Sequence, residues 1–262
     1  MERALTAVII GSGNVATHLA KKLSESVDIL QIYSRNLNHA RQLADATGAK
    51  AIDNIADIKK GADIYIISVN DDAIQEIVSK IGKNDSLWVH TSGSVPMDSL
   101  KSLSQHYGVL YPMQTFSKDV PVDMEKVPIF IEGSDDATLE EISRFANKIS
   151  PNVSLADSEA RKKLHIAAVF ACNFTNYLWG FSVDILQSIG QHLSVMEPLV
   201  KATFEKALQV SPHEGQTGPA RRNDTATIQK HLNELQGEAK ELYSLLSQNI
   251  IKKFHHNEQS QL

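Results

Sequence analysis

The segment TAVIIGSGNVATHLAKKL near the start of the chain sets Gly11, Gly13 and Ala16 in a G-x-G-x-x-A pattern, after an apolar strand and before a helix. Few segments constrain a fold more, because a strand must end there in a turn tight enough to bring backbone against a pyrophosphate. Gly11 permits the turn, Gly13 lets the backbone approach, and Ala16 allows close helix packing. The helix N-terminus then offers amide donors to phosphate. Ser12, Asn14 and Val15 complete the turn and are taken with it as cofactor contacts. A glycine-rich turn without a ligand is the plain alternative.

From residue 5 to about 155, short β-branched runs alternate with helical stretches, the pattern of a parallel sheet covered by helices. The expected strands are Ala7 to Ile10, Ile29 to Tyr33, Ala49 to Ile52, Ile64 to Val69, Leu87 to His90, Val109 to Tyr111, Ile129 to Glu132 and Val153 to Leu155. Most are nearly all apolar, as strands buried on both faces should be. After Asp157 only helical periodicity follows, interrupted by a loop from Ser211 to Thr225, and the tail HHNEQSQL reads as frayed. The expectation is an α/β Rossmann domain with a doubly wound parallel sheet over 1–156, followed by an all-helical domain over 157–262.

With 262 residues two medium domains fit better than one core. A net charge of −5 with dispersed Lys and Arg gives no footprint for nucleic acid. The single cysteine, Cys172, excludes a disulfide within the chain and suits a reducing compartment. No signal-peptide pattern opens the sequence, and the apolar stretch from Ile166 to Trp179, interrupted by Asn173 and Asn176, reads as too short to span a bilayer. A cytoplasmic protein without membrane contact is expected. The histidines lack partners at ligand spacing, so no metal is expected.

The second strand runs into IYSRN, where an NAD enzyme usually carries an acidic residue for the ribose 2′-hydroxyl. Ser34 and Arg35 stand there instead, and a hydroxyl with a guanidinium suits the 2′-phosphate of NADP. Arg35 as an ordinary surface arginine is the alternative. Val69 and Asn70, at the end of the fourth strand, lie where ligands of open α/β sheets bind, and Asp71 and Asp72 read as first-turn residues of the next helix.

The GSGNVA turn, SRN, HTSGS at 90–94, YPMQTFS at 111–117, KLHIAAVFACNFTNYL at 163–178 and TGPARRND at 217–224 occur together in order. In this the chain resembles bacterial proteins that join a Rossmann-like domain to a C-terminal domain of unknown function, the domain of unknown function 2520 family. That family is similar to pyrroline-5-carboxylate reductase, the β-hydroxyacid dehydrogenases and 6-phosphogluconate dehydrogenase. The resemblance implies an oxidoreductase whose helical domain resembles the C-terminal domain of 6-phosphogluconate dehydrogenase. It names no substrate. The Lys-x-x-x-Asn of the β-hydroxyacid dehydrogenases is absent, since Ala167 stands four residues after Lys163. Tyr111, Pro112 and Met113 replace the His-Pro-Met of prephenate dehydrogenases.

His165 and Asn173 are the polar pair on that helix, eight residues apart and so offset by roughly 80° on an α-helix. An imidazole that delivers a proton and an amide that orients a carbonyl, imine or hydroxyl are what hydride transfer requires. A histidine satisfied in a structural contact is the alternative. Ser92, with His90, Thr91, Gly93 and Ser94, follows the fifth strand and would receive a carboxylate or carbonyl oxygen, or would cap the following turn. Gln114, Thr115 and Arg221 are further substrate candidates, while Asp224 reads as a helix cap.

The resulting expectation is an NADPH-dependent oxidoreductase acting on a small carbonyl, imine or hydroxy-acid molecule in the interdomain cleft. A non-catalytic NADP sensor on the same fold is the alternative. Phe170, Phe174, Trp179, Phe181 and Leu186 are too many to cover one helix face, so a homodimer through the helical domain is expected.

Overall fold

The computed structural model describes residues 4–255 and divides into two compact units, one reaching as far as Asn173 and the other beginning at Phe174. The tail expected to fray lies outside the described residues beyond His255.

The first unit is built on eight strands: β1 Thr6–Ile10, β2 Asp28–Tyr33, β3 Lys50–Ile52, β4 Ile64–Ile67, β5 Leu87–His90, β6 Tyr107–Pro112, β7 Ile129–Gly133 and β8 Val153–Leu155. They lie in the order β3-β2-β1-β4-β5-β6-β7-β8. The order in which successive strands are added reverses between β1 and β4, which run parallel, and this is the switch point at which open α/β sheets bind ligands beyond the strand ends. Val8, Ile10, Tyr65, Ile67 and Trp88 fill one face, whereas Ala7, Ile9, Ile64, Ile66 and Val89 fill the other. That two-sided burial is why the central strands read as nearly unbroken apolar runs.

Helices α1 Asn14–Leu23, α2 Leu37–Asp45, α3 Asp71–Lys80 and α4 Asp136–Ala146 connect the strands. Asn36 and Asp135 cap α2 and α4 by accepting amide protons from the first turn. One feature departs from the expected parallel sheet. β7 runs antiparallel to β6, although parallel to β8. The connection over 113–128 carries only a short 3-10 turn, Met124–Lys126, and a parallel return requires a longer crossover, usually a helix.

The expected domain boundary at 156 coincides with the end of the sheet, but the compact unit extends further. Helix α5, Ser158–Ala168, belongs with the sheet because Arg161 is held by its loops. The helical run Ser158–Ser188 has 31 residues and an 18-residue window of mean hydropathy 1.2, so it is longer than the apolar stretch the sequence suggested. By length and composition alone it reaches what a bilayer span needs.

The second unit holds α6 Thr175–Ser188, α7 Glu197–Val210, α8 Thr225–Glu234 and α9 Gly237–His255. Asp224 caps α8 through the Thr227 amide, as expected. The Arg221 guanidinium lies 4.5 Å over the Phe254 ring, and its carbonyl oxygen is 2.8 Å from His255 Nε2. Tyr177 donates to Glu238 at 2.6 Å and meets Phe181 edge-on. Leu186 is buried within this unit, which removes it from the residues offered for dimer contact.

Candidate active site

At the C-terminal ends of β1, β4, β5 and β6 the strands give way to four turns that share one edge. Gly11 adopts φ +131, and a Cβ there would stand 1.9 Å from the Ser68 carbonyl oxygen, so only glycine lets β1 turn this close to β4. Gly13 differs: a Cβ there would meet nothing within 4 Å, and the space above its backbone is open. Gly13 is also the N-cap of α1, makes no side-chain cap, and is followed by no acidic residue in the first turn. An uncapped helix N-terminus facing open space suits a pyrophosphate.

Ser12 donates its hydroxyl to Ser34 Oγ at 2.8 Å, which leaves the Ser34 proton able to donate outward beside the exposed Arg35. These groups fit a 2′-phosphate. The Asn14 side chain turns away from the glycine turn and donates to the Phe116 carbonyl at 2.9 Å, while His18 Nε2 lies 2.9 Å from the Ser117 carbonyl. Asn14 thus ties the 113–128 connection to α1. Gln114 and Thr115 sit on that connection, exposed, with the Thr115 amide donating to Gln114 Oε1. Val69 lies near Gly11, and Asn70 caps α3 by backbone position only.

The turn after β5 is internally organised. Ser92 Oγ accepts from the amides of Ser94 and Val95, and Thr91 donates to Ser68 Oγ at 3.1 Å. Ser94 donates to the Asp71 carboxylate, joining this turn to the start of α3. His90 is fully buried, its Nδ1 accepts the Ser92 amide, and its Nε2 has no hydrogen bond of normal geometry. Burial chiefly, and the nearby Arg161 charge, lower its pKa to about 4, with the Pro96 carbonyl an opposing influence. The ring is therefore neutral and enclosed rather than presented to a substrate.

Arg161 is the residue the sequence reading missed. It is 1% exposed, donates to the carbonyls of Ser92 and Val95, and pairs with Glu132 of β7. Four residues on, His165 falls on the same helix face, and its ring lies against Gly93. A Cβ on Gly93 would stand 2.8 Å from His165 Nδ1 and 3.0 Å from its Cβ, so only a bare backbone admits the imidazole. The Arg161 to His165 spacing was the available signal, but the depth of Arg161 was not readable.

Asn173 lies in a π turn, Val169–Phe174. Such a turn absorbs one extra residue, about 100° of helical rotation. The 80° offset expected between His165 and Asn173 shrinks to within about 20°, which sets both on one face. Arg221 belongs to the second unit and is engaged there with Phe254. Among the described residues, no group of three or more His, Cys, Asp or Glu side chains is placed to hold a metal.

A family model described as NADP oxidoreductase coenzyme F420-dependent matches residues 6–92, and one described as a domain of unknown function, DUF2520, matches residues 127–250. A solved Bacteroides fragilis protein designated an NADP oxidoreductase, BF3122, is 40% identical, with a TM-score of 0.88 over 95% of this chain and 98% of that one. An imine reductase from Myxococcus stipitatus in complex with NADP+ shares the fold at 17% identity and TM-score 0.68, over 95% and 99% of the two chains. A reductive aminase from Aspergillus terreus in complex with NADPH and ethyl-5-oxohexanoate shares it at 15% identity and TM-score 0.69, over 96% and 95% of the two chains. No curated protein matches the chain.

His90 makes stability depend on pH. Its folded pKa lies below the unfolded value of 6.5, so the unfolded chain alone takes up that proton as pH falls from 6.5 to about 4. Stability is lost over that window, by about 3 kcal/mol at its acid end, and is unaffected by this group above it. The melting temperature should fall less steeply between pH 7 and pH 4.5 in His90→Asn than in the parent. Parallel curves would contradict the account.

Proposed function

The chain belongs to the family that joins a Rossmann-like NADP-oxidoreductase domain to the DUF2520 domain, and from that membership we propose that it reduces a small imine or carbonyl compound with NADPH. The observation that carries this reading is His165, half-buried against Gly93 at the same strand edge as the open glycine turn. Gly11, Gly13 and the first amides of α1 would hold the pyrophosphate, and Ser34 and Arg35 the 2′-phosphate. Bound NADPH supplies the hydride. His165 supplies the proton to the nitrogen or oxygen that gains the electron pair, and Asn173, on the same helix face, orients that atom. Ser92 serves by shaping its turn, since its oxygen already accepts two amides.

An imine as substrate is supported by the imine reductase and the reductive aminase that share this fold, together with a proton donor placed on a helix at the strand edge. A cytoplasmic setting suits NADPH and the free thiol of Cys172. We extend the reading to a homodimer. Leu199, Phe204 and Leu208 of α7 are 63%, 65% and 73% exposed, and a second copy of the same surface would cover both rows at once.

Two measurements test these statements. Arg35→Asp should weaken NADPH binding about 10- to 100-fold in a fluorescence titration and leave NADH binding nearly unchanged, because only NADPH carries the 2′-phosphate. Equal losses would contradict the assignment. Light scattering at micromolar concentration should give twice the chain mass of 28.9 kDa, and a monomer would refute the dimer.

A further inference from the structure

Tyr111 lies at the end of β6, buried, with its phenol oxygen 3.2 Å from His165 Nδ1. The two rings meet edge-on, with centroids 6.2 Å apart and planes at 73°. Three independent constraints therefore converge on one imidazole. Arg161 fixes the helix that carries it, the bare backbone of Gly93 forms its floor, and Tyr111 meets one of its nitrogens.

We propose that Tyr111 is a positioning residue that engages Nδ1 of His165 and leaves Nε2 as the nitrogen that serves the substrate, an inference that rests on the reductase reading above. β6 is buried along its whole length, and phenylalanine would fill the space of the ring equally well. A buried hydroxyl costs free energy unless it is paired, and the pair made here is with His165.

A phenol both donates and accepts. Its own proton needs an acceptor, so it donates to the bare Nδ1 of the resting neutral imidazole, which selects the Nε2–H tautomer, and it accepts from Nδ1–H in the cation and in the ring that has just released its Nε2 proton. Burial raises the Tyr111 pKa above its ordinary value, opposed by the charge of Arg161, so the phenol keeps its proton across the neutral range. In the reaction the Nε2 proton of the imidazolium passes to the substrate nitrogen or oxygen. The Nδ1 proton stays on the ring, directed at the Tyr111 oxygen, and Nε2 is reprotonated from water. The histidine of a serine-protease triad is oriented through its Nδ1 in the same general way.

The test uses the full-length protein labelled with ¹⁵N-histidine, with His165→Gln to assign the His165 ring signals. In the parent, resting neutral His165 should show the single Nε2–H tautomer, and Tyr111→Phe should show the averaged shifts of two exchanging tautomers. Averaged shifts in the parent, or the same single tautomer in Tyr111→Phe, would overturn the proposal, whatever the variant does to melting temperature. With a turned-over imine, Tyr111→Phe should lower kcat roughly 10²-fold, with KM and NADPH affinity nearly unchanged. A parental kcat would overturn it also. A protein that binds no NADPH yet loses its single tautomer in Tyr111→Phe would refute the reductase reading and leave the Tyr111 assignment standing.

Discussion

The buried guanidinium of Arg161 is the contact on which the candidate site depends. Taken from water, this charge is supported by Glu132 on β7 and by the carbonyls of Ser92 and Val95 after β5. Removing one partner of such a pair costs about 3–5 kcal/mol, because the other charge is left buried and uncompensated. The arrangement ties three parts of the chain together: the antiparallel strand, the turn after β5 and the first helix beyond the sheet. It also explains why that helix joins the first compact unit, and its charge adds to the burial that chiefly holds His90 neutral.

From that anchor the rest of the site follows by register. One helical turn separates Arg161 from His165, so fixing the first brings the second against Gly93. The π turn then returns Asn173 to the face of His165, where an uninterrupted α-helix would carry it away. Across the strand edge, the direct Gly11 approach to Ser68 and the open space over Gly13 separate two roles within one motif. The first glycine closes the fold, and the second leaves room for a ligand.

Much of this was legible in the sequence. All eight strands were expected, and β1, β4, β5 and β6 stood out most as apolar runs because burial on both faces leaves them few polar residues, whereas β3 and β8 at the sheet edges are partly exposed. The reversed direction of β7 was not, since a strand's composition is the same whichever way it runs. His165 and Asn173 stood out as polar residues in an apolar helix, but their alignment depended on a π turn that periodicity cannot reveal. Arg161 read as one charge among several in EARKKLH, and Tyr111 as one more apolar strand residue. Both acquire meaning only from long-range partners, Glu132 and His165, which no local pattern announces. His90 drew notice as the histidine of HTSGS, yet its ring is enclosed, and the strand end that made it conspicuous is also what buries it.

The helix placed by Arg161 is proposed to deliver a proton through His165 during hydride transfer. This role is tested most directly by steady-state kinetics of His165→Ala, using a substrate found by screening cyclic imines, 2-keto acids and 3-hydroxy acids against NADPH absorbance. A loss in kcat/KM on the order of 10² to 10⁴ with NADPH affinity nearly intact is expected, since the residue would act in the transition state. Turnover by His165→Ala at the parental rate would contradict it.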